Sequence, residues 1–73
     1  MRLVEHGDGL RTYGVQFLDA SASVISEGEA EAHDLAGAIA LIKAIPWPAG
    51  AERMRVLNAQ GRVIHQRVKA DEQ

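Results

Sequence analysis

Three histidines are the side chains of this sequence best suited to proton transfer or metal binding, and each lacks the companions that such chemistry needs. His6 stands in "EHGDG", where neighbouring glycines suit a mobile leader better than a built site. His33 lies between Glu31 and Asp34, three groups able to ligate a cation, but their spacing matches no zinc pattern. As the residue before a helix-capping Asp, His33 is expected to be solvated. His65 falls on a strand whose counted register sets it beside Arg55, with no carboxylate or nucleophile in reach. The sequence has no phosphate-cradling glycine loop, nucleophile elbow or His-Glu-x-x-His, and "GDG" at 7–9 reads as a turn. With no cysteine there is no thiolate ligand and no disulfide. The expectation is a protein that is not an enzyme, with no catalytic, cofactor-binding or metal residues.

Charge offers a second kind of chemistry. Ten acidic and eight basic residues give a formal net charge of -2, but they are unevenly spread. Asp19, Glu27, Glu29, Glu31 and Asp34 make residues 19–34 acidic, whereas Arg53, Arg55, Arg62, Arg67 and Lys69 make residues 52–69 basic against Glu52 alone. One reading is pairing across and along a solvated sheet. The other is a partner surface, in which Arg53, Arg55 and Arg67 form a basic face with Arg62 and Lys69 at its ends. Against nucleic acid as that partner stand the acidic total and the lack of exposed aromatic residues on which bases could stack.

These side chains must be positioned by elements that the sequence announces by repeating itself. "FLDASASVIS" (17–26) aligns without gaps on "VLNAQGRVIH" (56–65), with Leu18/Leu57, Ala20/Ala59, Val24/Val63 and Ile25/Ile64 identical. Both segments read as the same hairpin. Asn58-Ala59-Gln60-Gly61 suits a type I turn closed by a bulge, with Gly61 supplying the left-handed backbone. Ala22 holds the position of Gly61, so the first turn is expected to be looser or differently closed. Counting outward from each turn puts Val15, Phe17, Ile25, Met54, Val56, Ile64 and Val68 on a core face. Gln16, Leu18, Val24, Ser26, Arg53, Arg55, Leu57, Val63, His65 and Arg67 then take the other face. The same count turns Glu27 and Gln66 inward, and a bulge at Gly28 would reset the chain there.

Between the hairpins, "HDLAGAIALIKAIP" predicts a helix over 35–45, capped by Asp34 and stopped by Pro46. Leu35, Ala38, Ile39, Ile42 and Ile45 share one stripe, with Leu41 on its flank. The far side carries Ala36, Gly37, Ala40 and Ala44, and Lys43 is the helix's only charge. A helix this apolar is either covered by a second copy of the chain or simply alanine-rich and wet. Trp47, held extended between Pro46 and Pro48, is either a lid on the core or a recognition residue. Ala36, Gly37, Ala40, Ala44 and Trp47 are therefore the candidate interface.

At 73 residues the chain makes one thinly cored domain, for which a homodimer is a natural source of extra burial. The absence of cysteine fits a reducing compartment, and neither a signal peptide nor a membrane span is read in the sequence, so a cytoplasmic setting is expected. Residues 13–69 are expected to form a two-layer ββαββ domain of the α+β class, a four-stranded antiparallel sheet with one helix packed on one face. Residues 1–12 and 70–73 are expected to be flexible. The preferred function is a self-associating interaction or structural module that uses the alanine side of the helix or a sheet edge. The alternative is nucleic-acid or acidic-partner binding through the basic hairpin.

From "YGVQFLDASASVISEGEAEAHDLAGAIALI" to "MRVLNAQGRVIHQ" the chain resembles small bacterial proteins of unknown function with strand-strand-helix-strand-strand order. The shared pattern is a "V-x-F-L-D" strand, an acidic alanine-containing connection, an alanine-rich helix and a closing "V-x-x-x-x-G-R-V-I" hairpin. The resemblance covers about residues 13–68 and implies the fold; it brings no catalytic residue.

Overall fold

Both copies of the repeat fold back on themselves and pair with each other. In a computed structural model describing residues 1–71, the elements are β1 (Arg2–Val4), β2 (Arg11–Leu18), β3 (Val24–Ala32), α1 (Leu35–Lys43), β4 (Arg53–Leu57) and β5 (Val63–Val68). A 3-10 turn at Lys69–Asp71 follows. The class is α+β, with one helix on one side of one sheet. The sheet is five-stranded and mixed, in the order β1-β3-β2-β4-β5, which corrects the four-stranded antiparallel expectation. The extra strand is β1, which runs parallel to β3. It comes from the segment 1–12 that was expected to be flexible, and Arg11 and Thr12 already belong to β2. The Glu5 N–H donates to Glu31 O at 2.7 Å and the Glu29 N–H to Met1 O at 3.0 Å, extending the β1–β3 ladder at both ends. At the other terminus, Ala70 lies in the 3-10 turn, and residues 72–73 of the expected flexible tail fall outside the described residues.

The two hairpin turns are closed alike. The Asp19 N–H donates to Ser23 O at 3.0 Å and the Asn58 N–H to Arg62 O at 2.9 Å, while Ala22 and Gly61 donate back to Asp19 O and Asn58 O. Gly61 has φ 81° and Ala22 has φ 65°, so alanine adopts the left-handed backbone that was expected to loosen this turn. What holds it there is the Asp19 carboxylate, which accepts from Ser21 N, Ser21 Oγ and Ser23 N; Asn58 accepts only from Gln60 N and Arg62 N.

One step beyond each turn, both hairpins insert an extra residue. Leu18 pairs with Val24 but Phe17 with Ser26, and Leu57 pairs with Val63 but Val56 with His65. Ile25 and Ile64 are the inserted residues, and both are exposed. A one-residue shift reverses every later side chain, which corrects the face assignments on β3 and β5. Ser26, Gly28, Ala30 and Ala32 turn toward the helix side together with His65 and Arg67. Glu27, Gln66 and Val68 turn away, relieving the awkward inward count for Glu27 and Gln66. Gly28 stays in register opposite Val15 instead of bulging. A Cβ there would stand 2.5 Å from Met1 O, so the entry to β1 needs glycine.

With only small side chains toward the helix, β3 offers a flat seat, and α1 packs against β3 and β1. Ala38 and Ile42 are its buried residues. Asp34 caps the helix, its side chain accepting from Gly37 N at 2.8 Å. The helix ends at Lys43, two residues short of the expected Ile45, with Ala44 and Ile45 donating to Leu41 O and Ile42 O in a tightened last turn. Tyr13, Val15, Phe17, Ala30, Ala32, Met54 and Val56 form the sheet's contribution to the core. Trp47 is half-buried against it, its ring edge-on to Phe17 at 5.6 Å. The tryptophan is thus a lid. Among the described residues no helix is long and apolar enough to cross a membrane.

Candidate interaction surfaces

The helix face picked out by the sequence is open. Ala36, Ala40 and Ala44 are exposed, as is Lys43 beside them. Gly37 is half-buried for a different reason: Glu5, just past β1, lays its carboxylate over it, and a Cβ on Gly37 would meet Glu5 Oε2 at 2.7 Å. Trp47 packs on the core of its own chain.

The five basic residues do not make one face. Arg53 and Arg55 lie on the side of the sheet away from the helix, opposite Val68 and Gln66. Arg67, opposite the buried Met54, points to the helix side, where with Lys43 and Lys69 it borders a pocket over Phe17 and Met54. Arg62 sits in the β4–β5 turn, at the far end of the hairpin from Lys69. The inserted Ile64 separates Arg67 from Arg55, and with it goes the single basic surface that nucleic-acid binding called for.

The sheet face away from the helix has no helix over it, and the sequence reading did not single it out. The register orders it in rows across the strands. Val24, Leu18, Arg53 and Val68 form the first row, and Glu27, Gln16, Arg55 and Gln66 the second. The third runs Arg2, Glu29, Gly14, Leu57, Val63, with Val4, Glu31 and Thr12 beyond. Val4, Val24 and Val68 are 53 %, 41 % and 39 % exposed, so this face holds bare apolar groups among its charges. Leu18, fully buried, lies outside the main core cluster. Read by columns, β3 is acidic through Glu27, Glu29 and Glu31, and β4 is basic through Arg53 and Arg55. The uncharged β2 column separates them, so acids and arginines of the two hairpins are not direct cross-strand neighbours. Glu31 is instead paired by Arg2 of β1, whose Nε donates at 2.7 Å and whose Nη2 also donates to the same oxygen. That bond, and the charge of Glu31, raise the pKa of Arg2.

None of the histidines joins a reactive cluster. His6 is exposed. His65 lies opposite Val56 on the helix side, not beside Arg55, and its Nε2 is shielded from solvent without a hydrogen-bond partner, as is Arg55 Nε. His33 is not merely solvated. Its N–H donates to Glu5 Oε1 at 2.9 Å, and its Nδ1 lies 2.5 Å from the same oxygen. The backbone bond first, and then the ring, hold the Glu5 carboxyl below its ordinary value of 4.5. Asp19 is likewise held below 3.8, chiefly by the Ser23 and Ser21 donors of its turn. Among the described residues no group of three or more His, Asp or Glu side chains gathers at one point. No protein-family model, curated protein or solved structure matches this chain.

Proposed function

We propose that the protein is a small interaction module that self-associates through its uncovered sheet face. The carrying observation is the column pattern on that face: acidic β3 and basic β4 flank a neutral β2, with exposed valines at the margins, on β1, the turn end of β3 and β5. Two sheets stacked about a two-fold axis along β2 place β3 of each copy over β4 of the other. Glu27 and Arg55 share one row, so each Glu27 meets the Arg55 of the second copy, in the isologous way a symmetric dimer requires. The alanine side of α1 is the other candidate for self-association, but three methyl groups offer less apolar area than the branched side chains of the sheet.

Sedimentation over a concentration series, followed by charge reversal, tests this reading. Glu27→Lys and Arg55→Glu should each dissociate the dimer, and the double variant should restore it, since the swap rebuilds both contacts with the signs exchanged. A wild-type chain that stays monomeric at high concentration refutes the reading.

A further inference from the structure

We propose that the cleft between the start of α1 and the β4–β5 turn binds a small carboxylate with an apolar body. Its origin is geometric. α1 packs on β3 and β1, and Trp47 closes the helix side over Phe17, at the opposite end of β2. Beside Leu35 the sheet narrows. Gly14 of β2 pairs with Leu57, the last residue of β4, so Tyr13 lies one step beyond, abreast of the turn at Asn58. What stays open there is a cleft of about 610 Å³, inside the range of small-molecule sites.

The walls offer a ligand both apolar and polar contact. Leu35 is half-buried and lines the cleft with Ile64, which keeps 37 % of its surface exposed. Ile64 is the residue inserted into β5, so the bulge that reverses the later side chains also delivers an apolar group here. Tyr13 closes the floor. Its ring is buried, but its hydroxyl makes no hydrogen bond among the described residues and is not one of the shielded, unpartnered atoms, so it is the wet end of the ring. Arg11, two residues earlier on β2, falls on the same face about 7 Å away. It is exposed and makes no hydrogen bond or ion pair among the described residues. Asn58 spends its Oδ1 on the turn, accepting from Gln60 N and Arg62 N, which leaves its Nδ2 to donate outward. Asp34, the acid next to Leu35, is held on the Gly37 N–H as the helix cap. One guanidinium with two neutral donors suits a single negative charge, and the planar fork of Arg11 matches a carboxylate in shape. A flat or branched apolar body then fills the gap between Leu35 and Ile64. The cleft lies on the helix side of the sheet, so this site and the self-association face stand or fall separately.

The probes are hydrocinnamate and hydrocinnamamide, alike in shape but differing in charge, titrated at neutral pH into isotope-labelled protein. Hydrocinnamate should shift the backbone signals of Tyr13, Leu35 and Ile64 saturably, with hydrocinnamamide at least about tenfold weaker. Arg11→Gln should weaken hydrocinnamate by about tenfold and leave hydrocinnamamide unchanged, whereas Ile64→Ser should weaken both. Arg11 and Ile64 are exposed, so the fold should survive either change, and a dispersed backbone spectrum verifies it. The proposal fails if hydrocinnamate gives no saturable response, if the two probes bind equally, if either variant keeps full affinity for hydrocinnamate, or if the shifted signals lie away from the cleft.

Discussion

Ala22 and Gly61 do the same conformational work with different residues, and the difference should be measurable. At φ 65° the Ala22 methyl group crowds the backbone, a strain glycine lacks. Ala22→Gly should therefore stabilise the protein by about 0.5–1 kcal/mol, after allowing for the greater freedom of glycine in the unfolded chain. For a domain of this size that is a rise of roughly 4 °C in Tm. An unchanged or lowered Tm would mean that the turn holds no such strain. Two other residues set the response to acid. Native Glu5 and Asp19 have depressed pKa values, so the unfolded chain binds more protons than the folded one as pH falls. Their stabilising contribution is complete above 4.5 and 3.8 respectively, and fades as pH drops through the lower native values. The urea midpoint should fall on acidification in that range, and a Glu5→Gln, Asp19→Asn double variant should fall less steeply.

Among the elements, α1 is held at its first turn by more than its cap. Asp34 satisfies the Gly37 N–H, while Glu5 lies over the Gly37 Cα, pinned by His33. In an unobstructed helix, Gly→Ala gains about 1 kcal/mol. Here a methyl group on Gly37 would displace the Glu5 carboxylate, so Gly37→Ala should gain much less or destabilise. In a Glu5→Ala background the same change should recover the full ~1 kcal/mol. Additive effects in chemical denaturation would show that Glu5 and Gly37 are not coupled. The same contact gives β1 a purpose: a three-residue parallel strand is marginal alone, but Glu5 at its end joins the sheet edge to the start of the helix.

For the whole molecule, the consequence of a helix that covers only half a sheet is two surfaces of different character. One side carries the helix and a pocket bordered by Lys43, Arg67 and Lys69; the other is columned in charge, with exposed valines at its margins. Val68→Glu should dissociate a dimer that uses the sheet face, and Ala40→Glu should leave it intact. The reverse outcome in sedimentation would move the interface to α1. Because a dimer stabilises only the folded state, Tm should rise with protein concentration in the wild type and in Ala40→Glu, but not in Val68→Glu.

Much of this architecture is written in short stretches. The two hairpins follow from a repeat with Asp19 and Asn58 at matching positions, and the helix start follows from Asp34 before an apolar stripe, because turns and caps are settled by residues within a few positions of one another. For Trp47 the paired prolines fixed an extended backbone but left lid and recognition residue both open, and the packing of its ring on Phe17 decided for the lid. The insertions at Ile25 and Ile64 have no such mark, since isoleucine fits a regular strand as readily as a bulged one. One unmarked residue in each hairpin was enough to reverse β3 and β5, turn Arg67 from Arg55's face to the pocket, and scatter the supposed basic surface. The pairing of β1 with β3 and of β2 with β4 is likewise absent from local pattern, because it depends on which distant backbones bond and how far one short helix can reach across five strands.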